Sequence, residues 1–230
     1  MTLKLFITGT DTHVGKTYIS VGLLNAFNQR GLRTLGIKPI ASGCTLRDGQ
    51  YVNEDALALQ HASSIQLPYS HINPFALLSP IAPHLAAREQ QIDLSLEKIM
   101  HSLHPALSHS ADVCLFEGAG GLYVPLNKTE TMADLILSLQ CQTILVVGLR
   151  LGCINHALLT QHALQRQGIS TLGWIANYIE PTMSCAEENI NTLCDLLTFS
   201  CLGVVKHQSK VTLSSAFFSH LPLLGEQTLN

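Results

Sequence analysis

Leu3-Lys4-Leu5-Phe6-Ile7-Thr8-Gly9-Thr10-Asp11-Thr12-His13-Val14-Gly15-Lys16-Thr17 decides the fold of this 230-residue chain. Leu3 to Thr8 is a short apolar run with the β-leaning composition of a buried strand. Tyr18 to Arg30 carries Ile19, Leu23, Leu24 and Phe27 at helical spacing, and Gly31 supplies the stop. Between them lies a glycine-bounded loop ending in Gly-Lys-Thr. Strand, loop, Gly-Lys-Thr and helix together form the context of a phosphate-binding loop. Its backbone N–H groups and the first helical turn aim at one point, and the helix dipole adds positive potential there. Lys16 is then expected to reach the β- and γ-phosphates, and the Thr17 hydroxyl to ligate magnesium. The strict pattern places glycine six residues before the lysine; that position is Thr10, with the glycine one residue earlier at Gly9.

Outward from this motif, strand and helix signals alternate. Arg33 to Ile37 reads as a strand delivering Lys38-Pro39 to its C-terminal end, followed by a loop from Ile40 to Cys44. Asn53 is placed to cap a helix through Asp55, Leu57, Leu59 and Gln60. The proline-spaced stretch from Leu67 through Pro83 gives no assignment, and a helix follows from Leu94 to about Leu107. Ala111 to Phe116 is a buried strand with Glu117-Gly118-Ala119-Gly120-Gly121 at its tip. Thr131 caps Met132 to Leu139, and Thr143 to Gly148 is the clearest strand. Asn155–Gln167 and Ala186–Leu197 read as helices, Ser170–Asn177 and Cys201–Val205 as strands. The expectation is an α/β fold: one domain over 1–230, with a mostly parallel sheet and helices on both faces.

Composition narrows the function classes. The net charge of −3 offers no basic footprint for nucleic acid or an acidic membrane. The apolar run from Leu135 to Leu149 is too short and too polar to span a bilayer. Seven scattered cysteines without a Cys-x-x-Cys pair point to reduced thiols and a cytoplasmic setting. The eleven histidines show no zinc-site spacing and read as solvated or core-edge residues.

In a parallel sheet, ligands bind beyond the carboxyl ends of the strands. Lys16, Thr17, Lys38, Ser42, Glu117 and Asn177 all fall at that edge. Each has an ordinary alternative: Lys38 as a solvated lysine, Asp55 as a first-turn helix acid, Glu117 as a turn residue, Asn177 as a strand stop. Their convergence favours a site. Thr17, Asp55 and Glu117 supply hard oxygens for a magnesium ion carried in on nucleotide phosphates. Asn177 offers an amide that pairs with N6 and N7 of adenine.

These blocks resemble the dethiobiotin synthetase family of P-loop proteins. The matching pieces are Gly9 to Thr17, Lys38-Pro39-x-Ala41-Ser42-Gly43, Asn53-x-Asp55-Ala56, Glu117 to Gly121, Leu151-Gly152-Cys153-Ile154-Asn155-His156, and Gly173-Trp174-Ile175-Ala176-Asn177. The resemblance implies a cytoplasmic, magnesium-dependent ligase of biotin biosynthesis. It would convert 7,8-diaminononanoate, carbon dioxide (or bicarbonate) and ATP to dethiobiotin, ADP and phosphate. Lys38 and Lys16 would be catalytic. His13, Val14, Gly15, Lys16, Thr17, Tyr18, Asp55, Glu117, Gly118, Ala119, Gly120, Asn177, Tyr178, Val205, Lys206 and His207 would contact ATP. Thr12 and Ser42 would hold the diamine. A homodimer would bring Gly152, Cys153, Ile154 and Asn155 of one subunit to the substrate carboxylate in the other. The chain departs from the family pattern at His13, often an acid there, and at Glu188, where an aromatic contact near the substrate tail is expected. Gly203-Val204-Val205-Lys206-His207 lacks the family's proline. Two rivals fare worse. An ATP-driven dimerisation switch would carry an early P-loop lysine, which Thr10, Asp11 and Thr12 do not supply. An amidoligase of cobalamin synthesis would need a glutamine-hydrolysing domain, for which the chain is too short.

Overall fold

The computed structural model describes residues 2–207 and Val211. The strand–helix alternation appears as β1 (Leu3–Gly9), α1 (Lys16–Asn28), β2 (Thr34–Ile37), β3 (Ile40–Ala41), β4 (Thr45–Arg47), β5 (Gln50–Val52), α2 (Glu54–Ala62), α3 (Tyr69–Ile72), β6 (Phe75–Ala76) and α4 (Pro83–Glu89). There follow α5 (Leu96–Leu107), β7 (Val113–Glu117), α6 (Met132–Leu139), β8 (Gln142–Leu149), α7 (Cys153–Arg166), β9 (Thr171–Tyr178), α8 (Ala186–Leu196) and β10 (Cys201–Val205). The central sheet has six strands in the order β10-β9-β8-β1-β7-β2. All of its pairings are parallel, so this sheet is wholly rather than mostly parallel.

The strands read as continuous apolar runs because both faces are covered, yet their alternation still sorts side chains. Leu5, Ile7, Leu115 and Val146 point to the face roofed by α1, while Phe6, Phe116, Leu145 and Val147 point to the opposite face. There Phe6 and Phe116 pack with α5 and α6, and Leu145 and Val147 with α7 and α8. Crossovers leave β1 for β2 on one side, and β8 takes the other side. The tip of β1 therefore lies at the switch point of the strand order, where open α/β sheets bind ligands.

Three stretches differ from the sequence expectation. The expected loop at Ile40 holds β3, paired in parallel with β6 inside the stretch left unassigned. β4 and β5 form an antiparallel hairpin. Its turn is Asp48-Gly49, with φ of 50° and 79°. An Asp-Gly pair between short strand-like runs is the standard signal of such a turn, so the hairpin was open to sequence reasoning. The unassigned segment also contains α3 and α4, too short for a periodicity to emerge. The helix caps behave as expected: Asn53 Oδ1 accepts the N–H groups of Asp55 and Ala56, and Thr131 pairs with Asp134 at 2.7 Å. The single-domain reading covers residues that lie outside the described ones. Among the described residues no helix is long and apolar enough to cross a membrane.

Candidate functional site

Val14 lies buried over the tips of β1 and β8. That close approach requires glycine beneath it. A Cβ at Gly9 would sit 2.6 Å from Val14 Cγ2, and one at Gly148 would sit 2.9 Å from Val14 Cγ1. His13 and Gly15 take left-handed conformations (φ 59° and 87°), which turn the loop into the start of α1. From the tip of β9, Asn177 Nδ2 donates to the Val14 carbonyl at 2.9 Å. One hydrogen of the amide assigned to adenine therefore serves the loop itself.

Two strand ends and the first turn of α2 deliver charge to this loop. Glu117 ends β7 fully buried, and its Oε1 accepts the Thr17 hydroxyl at 2.8 Å and Lys38 Nζ at 2.5 Å. Lys38, leaving β2, also donates to Asp55 Oδ2 at 3.1 Å and to the Gly118 carbonyl at 3.3 Å. All three ammonium hydrogens are thus accounted for. Burial works against the Lys38 charge, but Glu117 and Asp55 outweigh it and hold the lysine above its ordinary value. Burial likewise opposes the Asp55 charge, and Lys38, the Thr17 hydroxyl and Lys16 more than offset it, leaving Asp55 low.

Lys16 is in a different state. Its Nζ donates to the Asp11 carbonyl at 2.9 Å. Burial, reinforced by the neighbouring Lys38 charge, pushes it down to about 8. The Asp11 carboxylate is held by the Thr12 N–H at 2.7 Å and by Arg150. These offset its burial and keep Asp11 below the usual carboxylate range.

The cluster opens into a cleft of about 870 Å³ lined by Thr12, His13, Gly15, Lys16, Thr17, Tyr18, Lys38, Ser42, Asp55, Glu117, Ala119 and Gly120. A hollow of about 240 Å³ on the other side of His13 and Gly15 is lined by Tyr18, Asn177, Tyr178, Ile179 and His207. The remaining candidates lie elsewhere. Val14, Val205 and Cys153 are buried, Gly118 contributes its carbonyl to Lys38, and Lys206 is exposed. Gly152, Cys153, Ile154 and Asn155 form the start of α7 and do not line the cleft. Glu188 is exposed on α8, outside both hollows. Sequence reasoning missed the cleft's apolar lining of Pro80, Ile81, Ala82 and Pro83, together with Val124 and Pro125. The closely spaced prolines were the available signal.

Ser42 Oγ and Glu117 Oε2 are buried without a hydrogen-bond partner among the described residues. An orphaned hydroxyl and carboxylate oxygen at a cleft call for a ligand, because leaving such groups unpaired is costly. Thr17, Asp55 and Glu117 offer only hard oxygens, which suits magnesium. Among the described residues no group of three or more His, Cys, Asp or Glu side chains could hold a metal ion. Such a set fits an ion that takes most of its ligands from phosphate and water.

Residues 3–215 match the model of a family described as an AAA domain. Three curated relatives are each named ATP-dependent dethiobiotin synthetase BioD. The protein of Cellvibrio japonicus (strain Ueda107) is 47% identical over 95% of this chain and 95% of its own. Those of Pseudomonas aeruginosa (strain UCBPP-PA14), 45% over 95% of both chains, and of Alteromonas mediterranea, 44% over 90% of this chain and 94% of its own, are similar. Among solved structures, the septum site-determining protein MinD of Pyrococcus horikoshii OT3, complexed with Mg-ADP, superposes with a TM-score of 0.55 at 16% identity, covering 90% of this chain and 82% of that one. The signal recognition particle receptor FtsY of Elizabethkingia anophelis, in complex with GDP, gives 0.53 at 11% identity, over 94% and 61%. At these identities the two structures speak for the fold alone.

Proposed function

The chain belongs to the family of ATP-dependent dethiobiotin synthetases, and from that premise we propose how its residues divide the work. The enzyme forms dethiobiotin with ATP in biotin biosynthesis. One amine of 7,8-diaminononanoate adds to carbon dioxide and loses a proton, giving a carbamate. A carbamate oxygen takes the γ-phosphoryl group and ADP leaves. The second amine then attacks the carbamate carbon, closes the cyclic urea and expels phosphate.

The observation that carries this assignment is two lysines of unlike state at the P-loop, Lys38 paired with two carboxylates and Lys16 with none among the described ion pairs. Lys16, parked on a neutral carbonyl, is available to grip the phosphates of bound ATP. Lys38, kept fully charged by Glu117 and Asp55, is the cation that answers charge developing on carbamate and transferring phosphoryl oxygens. Thr17, Asp55 and Glu117 would hold a magnesium ion whose chemistry is to neutralise and orient the β- and γ-phosphates. Lys38 engages Glu117 Oε1 and Asp55 Oδ2, which leaves the unpaired Glu117 Oε2 for such an ion. The unpaired Ser42 hydroxyl, with Thr12, orients the diamine, and the Pro80–Pro83 wall shields the reacting carbamate from water. In the smaller hollow, Tyr18, Tyr178 and His207 flank the adenine, and Asn177 Oδ1 accepts from its amino group.

A homodimer completes the site in this reading. The start of α7 is a helix N-terminus of the kind suited to a carboxylate, with the Cys153 N–H already taken by the Arg150 carbonyl, yet it does not line its own cleft. Leu151, 97% exposed, and Leu159, 60% exposed, mark the same flank as an apolar surface that a second copy would cover. All seven cysteines are free thiols, in keeping with the reducing cytoplasm. The deciding experiment measures ATP turnover with and without diamine and bicarbonate, and identifies the product by mass. Turnover indifferent to the diamine would overturn the assignment in favour of an ATP switch.

A further inference from the structure

We propose that Arg150 is a positioning residue for Lys16, acting through Asp11. This rests on the P-loop reading and extends it to a residue that no motif contains. Arg150 follows the last residue of β8, and its guanidinium pairs with Asp11 Oδ2. Asp11 Oδ1 accepts the Thr12 N–H at 2.7 Å, and the Asp11 carbonyl accepts Lys16 Nζ at 2.9 Å. Every oxygen of Asp11 is therefore engaged, and two of its partners belong to the phosphate loop. The pair spans 139 positions in sequence and ties the loop to the strand end beyond which α7 begins. The Arg150 carbonyl in turn accepts the Cys153 N–H at 3.0 Å, closing the turn that starts α7.

The physical consequence is preorganisation. Thr10 stands where the strict loop has glycine, and its N–H is fixed to the Val146 carbonyl at 3.0 Å. The next peptide, at Asp11, is the one that docks Lys16. Its orientation is set by the Asp11 side chain, whose Oδ1 is held by the Thr12 N–H and whose Oδ2 is held by Arg150. Both members of the ion pair are partly exposed, so its contribution to global stability is small. Its contribution to ATP binding is the ordering of the Asp11 peptide before the ligand arrives. Fixing one residue's backbone shifts an equilibrium by about five- to thirtyfold. Without Arg150 that ordering falls to the nucleotide.

The test is a double-mutant cycle on ATP affinity, measured by calorimetry, with steady-state kinetics alongside. Arg150→Met and Asp11→Asn each weaken ATP binding about tenfold, within the range of one ordered residue. The double variant is no weaker than the poorer single variant, because both remove one interaction. KM for ATP rises more than kcat falls, KM for the diamine holds, and the unfolding midpoint stays near that of the parent. Arg150→Lys recovers most of the affinity, since it keeps the charge. Additive losses, or undiminished ATP affinity in Arg150→Met, would overturn the proposal. So would a rise in KM confined to the diamine, which would make Arg150 a substrate contact. If the unsubstituted protein bound no ATP, the P-loop reading itself would fail.

Discussion

Lys38 shows how much one side chain can be asked to do. Its ammonium neutralises a fully buried Glu117 and a partly exposed Asp55, so removing it exposes a stability cost as well as a catalytic one. Lys38→Gln is expected to slow dethiobiotin formation by at least about a hundredfold, the usual effect of losing one preorganised donor. It should also lower stability by about 3 kcal/mol, because a buried carboxylate is left without its partner. Glu117→Gln in the same chain should restore most of the unfolding midpoint and none of the activity. Recovery of turnover in the double variant would remove Lys38 from the chemistry. Lys16 makes a contrasting prediction through its lowered value of about 8. Its protonated form is the one that binds phosphate. ATP affinity measured in EDTA should therefore be flat below pH 8 and fall up to about tenfold per pH unit above it, with proton uptake on binding. A profile flat to pH 9.5 would mean that Lys16 is not so perturbed.

At the scale of elements, the site depends on how closely the P-loop can settle on the sheet. Gly9 ends β1 and Gly148 lies near the end of β8, and Val14 fills the space a side chain would take at either. Gly148→Ala places a methyl group 2.9–3.1 Å from three Val14 atoms, one of them the backbone Cα. The loop must rise, and Asn177 then loses its short bond to the Val14 carbonyl. The expected result is a loss of ATP affinity of about tenfold or more, with a modest fall in stability typical of overpacking, about 1–3 kcal/mol. The companion change Gly148→Ala/Val14→Ala removes the Cγ1 contact at 2.9 Å but leaves Cβ at 3.0 Å and Cα at 3.1 Å, so it should recover only part of the affinity. Full affinity in Gly148→Ala alone would show that the loop need not rise.

For the whole molecule, the start of α7 is the feature that a single chain leaves unexplained. It carries a motif shared with the resembled family, yet lies outside the cleft of its own subunit. The homodimer reading predicts sedimentation at about twice the chain mass of 25.0 kDa. It also predicts that Leu151→Glu, a charge placed on a side chain 97% exposed in one subunit, yields monomers that fold and bind ATP but turn over little diamine. A fully active monomer would refute the shared site.

Much of this protein was legible in its sequence because the relevant signals are local. The β1–loop–α1 unit is written in consecutive residues: an apolar strand, a glycine-bounded turn and an amphipathic helix. The capping residues Asn53 and Thr131 and the acid at the tip of β7 are equally local, as are the glycines that follow it. Even the missed Asp48-Gly49 hairpin was present as a local signal. Which groups would touch was decided only when the strands took the order β10-β9-β8-β1-β7-β2. Placing β7 between β1 and β2 brings Lys38 to Glu117 across 79 positions, and placing β8 and β9 on the other side brings Arg150 to Asp11 and Asn177 to Val14. Strand order is a property of the packed sheet, set by which apolar faces and crossovers can be accommodated together. The site's residue types could therefore be read from the chain, while the partner of each lysine, and with it the state of its charge, was settled by the tertiary structure.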